Sequence, residues 1–327
     1  MRIPVLLALA IFASTSPTLA AEQNVSRDCR QSGDPDRKIA ACSELLADPA
    51  MPDEVKVVAL QNRGLARADK GDRDGALADF NAAIRIDPRA AFAYLFRATL
   101  YQRNAQHDLA IADLDQAIRI NPGFPLFYFR RGASYYDMHD YVRAIADFSE
   151  AIKLDPNYVD ALWGRGQANA YSGHKERAIA DFTEVIRIEP RAARGYMARA
   201  QIYQSQSEHD RAIADLDQFL KLDAHGFAGF VLRGNSYREK GELDRAIADY
   251  TAAIKLLPTY SFAYQERGIA YRMKGDREHA IADFREVVRI SPLVSDAALK
   301  ELQALGVEAP KSEDDAMKQG VLQLLKK

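Results

Sequence analysis

A fixed interval of 34 residues governs this chain. The segments GALADFNAAIRIDP, LAIADLDQAIRINP, RAIADFSEAIKLDP, RAIADFTEVIRIEP, RAIADLDQFLKLDA, RAIADYTAAIKLLP and HAIADFREVVRISP return at that spacing. Their prolines, Pro88, Pro122, Pro156, Pro190, Pro258 and Pro292, stand 34 apart, with one double step where Ala224 replaces proline. Repeats therefore begin at Val57, Ala91, Pro125, Val159, Ala193, Phe227 and Ser261, and together fill 57–294 of the 327 residues. A unit this short cannot bury its own apolar face. Stacked neighbours must bury it, which excludes one globular core and specifies an array.

Each repeat reads as two antiparallel helices. The eighth position is small throughout: Gly64, Ala98, Gly132, Gly166, Ala200, Gly234 and Gly268. The twentieth is always alanine: Ala76, Ala110, Ala144, Ala178, Ala212, Ala246 and Ala280. Small residues let two helix backbones approach, offsetting the roughly 1 kcal/mol that glycine costs inside a helix. Large apolar residues follow at helical spacing, as with Ile145, Phe148 and Ile152. The proline ends the second helix.

These residues resemble the tetratricopeptide repeat. Gly132, Tyr135, Ala144, Phe148, Ala151 and Pro156 match its pattern fully. Departures are local. Arg67 and Asn169 replace the first-helix aromatic; Leu114 and Leu216 replace the second-helix aromatic; Val185, Phe219 and Val287 replace a small residue. Ala224, Gly226 and Gly229 make the junction of repeats five and six the expected soft point. The resemblance implies an all-α, right-handed superhelical solenoid of about seven helix pairs plus terminal caps, binding proteins or peptides on its concave face.

Caps are expected at both ends. Upstream, 21–56 reads as a degenerate hairpin, with Cys29 on its first helix and Cys42 on its second. Downstream, 295–307 reads as a capping helix with Ala298, Leu302 and Leu305 on one face. The two cysteines lie 13 apart. In an oxidising compartment they are expected to form a disulfide; a redox pair is the alternative, without C-x-x-C spacing to support it.

Two ladders run through the array. The seventh position is arginine in every repeat: Arg63, Arg97, Arg131, Arg165, Arg199, Arg233 and Arg267. The twenty-third is aspartate: Asp79, Asp113, Asp147, Asp181, Asp215, Asp249 and Asp283. The one-to-one match favours a structural ion pair in each repeat over an anion-binding arginine spine.

In tetratricopeptide proteins, first-helix positions two, five, nine, twelve and thirteen face the groove. Here they supply an apolar and aromatic band of Phe92, Leu95, Leu126, Phe129, Tyr136, Trp163, Tyr171 and Met197. Gln102, Arg103, Gln167, Gln201, Gln204, Asn235, Arg238 and Arg272 stand among and beyond them. Apolar pockets would hold a peptide while the polar groups meet its backbone and carboxylates. Packing of these aromatics between repeats is the competing reading. The lysine, asparagine and arginine clamp of the cochaperone subset is not reproduced, since Gln61 and Leu65 occupy its first-repeat positions.

The amino terminus, MRIPVLLALAIFASTSPTLA, has a basic start at Arg2, an apolar run to Ala13 and small residues at Thr18 and Ala20. It reads as a signal peptide over 1–20; the run is short for a membrane anchor. An exported, periplasmic or secreted protein with no integral membrane segment after cleavage is expected. The tail, 308–327, carries Ser312, Glu313, Asp314 and Asp315 before a stripe of Met317, Val321, Leu324 and Leu325. It reads as a peripheral amphipathic helix or an internal groove ligand.

Net charge is −2 from 44 Lys+Arg and 46 Asp+Glu, which argues against nucleic acid as partner. No catalytic motif is present. His107, His139, His174 and His209 recur near turns, roughly 10 Å apart in a stack, too far to share a metal. Neither cofactor nor metal is expected. The leading expectation is a non-catalytic scaffold or adaptor of the cell envelope for a protein or peptide partner, with a homo-oligomer open. The alternative is an accessory subunit of a polysaccharide, peptidoglycan or secretion machine, with aromatics contacting glycan. Unassisted catalysis ranks third.

Overall fold

The structure, a computed structural model, describes residues 27–291 and 295–307. The expected signal peptide, Pro292 and the tail lie outside the described residues. Among the described residues there are 17 helices: α1 (Arg27–Gln31), α2 (Pro35–Ala47), α3 (Asp53–Asp69), α4 (Arg73–Ile86), α5 (Ala91–Arg103), α6 (His107–Ile120), α7 (Pro125–Asp137), α8 (Tyr141–Leu154), α9 (Val159–Tyr171), α10 (Lys175–Ile188), α11 (Ala193–Ser205), α12 (His209–Leu222), α13 (Phe227–Glu239), α14 (Leu243–Leu256), α15 (Ser261–Lys274), α16 (Arg277–Ile290) and α17 (Asp296–Ala304). The chain falls into two compact halves, divided between Ala168 and Asn169. Within each half, consecutive helices pack as pairs and successive pairs pack on one another.

Turn chemistry sets the hairpins. The fifteenth position is left-handed in all seven repeats: Gly71, Gly173, Gly241 and Gly275 take φ between 78 and 85°, while Ala105, His139 and Ser207 take 54 to 61° without glycine's freedom. Asp72, Asp140 and Asp276 then cap the second helix, accepting from the backbone N–H of Gly75, Arg143 and His279.

The first half opens with α1 and α2, joined by the Cys29–Cys42 disulfide. Both cysteines are fully buried against Val55 and Ala59. That contact explains why α3 begins at Asp53, four residues before the sequence period begins its repeat: the added turn carries Val55 onto the disulfide. The second half ends with α17, whose buried Ala298 and Leu302 cover Phe284, Val287 and Val288.

Two volume exchanges account for four of the eight departures from the repeat pattern, Leu114, Leu216, Val185 and Phe219. Within a repeat, the eighth position faces the twenty-fourth. A β-carbon on Gly64 would sit 2.6 Å from the Phe80 ring, one on Gly234 2.7 Å from Tyr250 and one on Gly268 2.8 Å from Phe284. Where the eighth position is alanine, Ala98 or Ala200, the twenty-fourth is leucine, Leu114 or Leu216, and all four are fully buried. One methyl is exchanged for part of a ring, which keeps the close packing of the interior.

The second exchange crosses from one repeat to the next. Position twenty-seven meets position three of its successor. Ala117 precedes Phe127, Val185 precedes Gly195, and Phe219 precedes Gly229. A β-carbon on Gly229 would lie 2.4 Å from the Phe219 ring, and one on Gly226 2.6 Å away. The glycines of the expected soft point have a packing role: they are the space that Phe219 fills.

Candidate ligand-binding face of the first helices

The ladder arginines are built into the fold. In repeats one, two, three, five, six and seven, the guanidinium donates from Nε and Nη2 to both oxygens of its own repeat's aspartate, as Arg131 does to Asp147 at 2.8 and 2.7 Å. Nη1 reaches back to the preceding hairpin: Arg131 to Asp115, Arg199 to Thr183, Arg233 to Asp217, Arg267 to Thr251, and Arg63 to Ser43. In repeat four the two members fall in different halves; Arg165 Nη1 donates to Ser149 Oγ at 3.1 Å, and Asp181 accepts from Asn169 Nδ2 at 3.1 Å. Burial pushes the Asp147 carboxyl up and Arg131 pulls it back. With the forks of those six repeats directed at protein acceptors, the described arginines form no continuous spine open to ligand anions.

The same aspartates explain the missing first-helix aromatics. Arg67 Nη1 donates to Asp79 at 2.9 Å, and Asn169 is the corresponding donor to Asp181. Where the aromatic is present in repeats three, five, six and seven, an arginine lies over its ring, as with Arg143 over Tyr135 at 4.4 Å and Arg245 over Tyr237 at 4.5 Å.

The residues expected in the groove divide sharply. In the first half, Leu95 is core, 2% exposed. Phe92 packs on Phe96, Phe124 and Phe127, and Leu126 lies against the same cluster. Phe129 sits between Phe148 and Tyr158, at 5.9 and 5.1 Å, and Tyr136 meets Tyr141 edge-on. Gln102 spends its amide on the neighbouring repeat, donating to Arg130 O at 2.7 Å and Ser134 Oγ at 2.8 Å. Trp163 and Gln167 are half-buried, and Arg103 is exposed.

In the second half, Gln204 repeats the bond of Gln102, reaching Leu232 O and Ser236 Oγ at 2.6 and 2.8 Å. Asn235 accepts from the Tyr250 hydroxyl at 2.8 Å. Arg238 pairs with Glu266 at 3.3 Å, and Arg272 with Glu301 at 3.0 Å. Met197 is half-buried, whereas Gln201 and Tyr171 are exposed.

Four further residues stand out. Phe262 and Met273, at positions two and thirteen of α15, are 45% and 49% exposed. Their register alone could have found them. Arg130 and Glu266 occupy position six, which is uncharged elsewhere: Asn62, Phe96, Gly164, Ala198 and Leu232. A charge in an uncharged column was the available signal. Burial pushes the Glu266 carboxyl above its usual range, with Arg238 opposing. Burial pushes the Arg130 guanidinium down and the nearby Tyr158 phenol up. Among the described residues no group of three His, Cys, Asp or Glu side chains is placed to hold a metal ion, and no helix is long and apolar enough to cross a membrane.

Comparison with known proteins agrees with this geometry. Tetratricopeptide repeat models match 62–125 and 170–228, 125–158, and 263–292, and a TPR repeat model matches 234–275. No curated protein matches the chain in sequence. The C-terminal part of a TPR repeat-containing protein from Cytophaga hutchinsonii aligns at TM-score 0.63 with 18% identity, over 73% of this chain and 98% of its own. A tetratricopeptide repeat protein from Parabacteroides merdae aligns at 0.55 with 18% identity, over 76% and 98%. YrrB, described as a TPR protein with an unusual peptide-binding site, aligns at 0.51 with 19% identity, over 58% and 97%. The chain belongs to the tetratricopeptide repeat family.

Proposed function

We propose that this protein is a non-catalytic adaptor of the cell envelope that holds a protein or peptide segment against its first helices. The observation that carries this reading is the apolar surface of α15. Phe262 and Met273 lie three turns apart on one face and stay about half exposed, while the other large apolar side chains of that helix, Tyr264, Ile269 and Tyr271, pack against the core. An apolar surface beside the polar Gln265 and Arg272 suits a peptide or a partner helix. A protein of the same fold, YrrB, has a peptide-binding site. The repeated chemistry of each hairpin, an ion pair and small-residue packing, is spent on structure and supplies no acid, base or nucleophile set. Export is supported by the disulfide and by the signal-like amino terminus.

The test is a pull-down from an envelope extract with the mature protein and a Phe262→Ala/Met273→Ala variant, both checked by circular dichroism. These side chains are exposed, so the variant should fold. A protein retained by the first and lost by the second, whose isolated segment binds the purified array in a fluorescence titration, is the expected outcome. Equal retention by both removes the groove from the reading. Failure to retain any protein, together with quenching of Trp163 by envelope polysaccharide, would replace the adaptor with a glycan-contacting subunit.

A further inference from the structure

Along the edge where the two helices of each repeat turn, the two halves are stitched differently. In the second half, position fourteen reaches back to position eighteen of the repeat before it. Gln206 Nε2 donates to Glu176 Oε1 at 2.9 Å, Lys240 pairs with Asp210 at 2.6 Å, and Lys274 pairs with Asp244. In the first half these bonds are missing among the described residues. Asn104 donates its amide to Leu100 O at 2.7 Å, and Met138 stands where a lysine would reach Asp108. Asp108 is exposed and makes no hydrogen bond or ion pair among the described residues.

Three columns of the repeat lose their polarity at this one place. Position eighteen is aspartate or glutamate in six repeats and apolar only at Val142, which is 80% exposed. Position fourteen is polar in six and apolar only at Met138, 41% exposed. Position nineteen is glycine, arginine or histidine in six and aliphatic only at Leu109, 48% exposed. Leu109 follows Asp108 on α6, Met138 ends α7, and Val142 stands at the start of α8 across the same turn. The lysine pairs of the second half show that positions fourteen and eighteen of successive repeats touch. The same register sets the three apolar residues along one stretch of the turn edge, beside Asp108.

Apolar side chains held in water gain by being covered, whereas an exposed ion pair adds register more than affinity. The occupant of this edge therefore needs aliphatic side chains and a cation for Asp108. The carboxy-terminal segment of the chain has that composition: Met317, Val321, Leu324 and Leu325 recur at intervals of four, three and one, and Lys326 and Lys327 follow. We infer that residues 316–327 of a second copy dock on the turn edge of repeats two and three. Their aliphatic side chains cover Leu109, Met138 and Val142, and a terminal lysine pairs with Asp108, as Lys240 and Lys274 pair in the other half. In chain order four whole repeats separate this edge from the segment, which assigns the occupant to a second copy. The inference does not rest on the adaptor reading, because the patch lies on the turns and not on the face that carries Phe262 and Met273.

The experiment uses the full mature protein and a labelled synthetic peptide of residues 311–327, read by fluorescence anisotropy, with sedimentation velocity of the unlabelled chain alongside. Saturable binding is expected, together with association of the native chain that grows with concentration. Met138→Lys/Val142→Asp puts back residue types that the same positions carry in other repeats, so it should fold, with circular dichroism melting as the check. It should weaken peptide binding at least about tenfold and leave the chain monomeric. A peptide with Lys326→Glu/Lys327→Glu should bind about threefold more weakly, the worth of an exposed ion pair. Unchanged binding to Met138→Lys/Val142→Asp, or binding lost instead in Phe262→Ala/Met273→Ala, would overturn the site. No binding of the peptide would overturn the occupant. A native chain that stays monomeric at every concentration, with the peptide bound at the turn edge, would overturn the second copy and leave docking within one chain. A failed pull-down with intact peptide binding sinks only the adaptor reading, and the reverse result sinks only the docking.

Discussion

Repeat three and repeat seven put opposite charges at one place in the same scaffold. Glu266, 8% exposed, has an ion-pair partner in Arg238 at 3.3 Å, although its Oε2 and Arg238 Nε make no hydrogen bond; Arg130 Nε is likewise buried without an acceptor and has no ion-pair partner in contact among the described residues. The adjacent residue makes the contrast sharper, since Arg131 directs Nε, Nη1 and Nη2 at two aspartates. The fold therefore has two ways of neutralising a charge on a first helix, one within a repeat and one between repeats, and Arg130 uses neither. Charges that the fold satisfies belong to its stability, while a buried charge without a partner in contact costs it.

The largest expected effect tests the satisfied side of that division. Arg131→Ala strands Asp147, 6% exposed, and takes a partner from Asp115. Removing one member of a buried, bidentate pair should cost about 3 kcal/mol, read as a lower urea midpoint in full-chain unfolding. A loss under about 0.5 kcal/mol would mean that the ladder is ornamental. Arg238→Ala in the other half should cost less, about 2 kcal/mol, because its pair with Glu266 is single and longer at 3.3 Å. Its pH dependence has a definite sign. Burial already holds Glu266 above its ordinary range, and loss of Arg238 lifts it further. A raised folded value means stability that is fully present below the unfolded pKa and is lost as pH rises through the folded one. The variant should therefore lie closer to the native protein at pH 4 than at pH 8; the opposite order would show that Glu266 is charged and satisfied by other groups.

A third change separates volume from charge. Gly229→Ala places a methyl 2.4 Å from the Phe219 ring. Overpacking should outweigh alanine's better helix propensity and cost about 1.5 kcal/mol, and Phe219→Leu in the same chain should recover most of it. Additive losses would show that the two positions do not share one space.

That pair also shows where sequence reading reached and where it stopped. The period, the helix pairs and the pairing role of the arginine and aspartate ladders were legible, because each follows from residue type at a fixed interval. Leu114, Leu216 and Phe219 read as isolated departures, and Gly226 and Gly229 as softness. Their meaning lay in columns that touch across a hairpin or a junction, which a column-by-column reading separates. Gln102 and Gln204 looked available for a ligand because register says which way a side chain points, but not that Ser134 and Ser236 wait in the next repeat. Phe92 and Phe129 look inward for the same reason: their partners, Phe124 and Tyr158, come from the connecting segments rather than the repeating helices. Register gives the direction of a side chain and not what already packs against it.

The smallest expected effect is the most discriminating. Arg130→Gln removes a desolvated charge that has no counter-ion in contact and relieves the repulsion from Arg103. Glutamine keeps part of the aliphatic stem and leaves the backbone carbonyl free to accept from Gln102. The unfolding midpoint should move by no more than about 0.5 kcal/mol, upward if at all, since replacing an unpaired half-buried charge by a neutral group is often stabilising. The neighbouring Arg131→Ala, on the same helix and under the same conditions, supplies the scale. If Arg130→Gln costs as much as Arg131→Ala, Arg130 is a structural residue with a satisfied charge, and the contrast between repeats three and seven disappears. If it costs nothing while Arg131→Ala costs about 3 kcal/mol, two consecutive arginines of one helix differ in whether the fold depends on their charge.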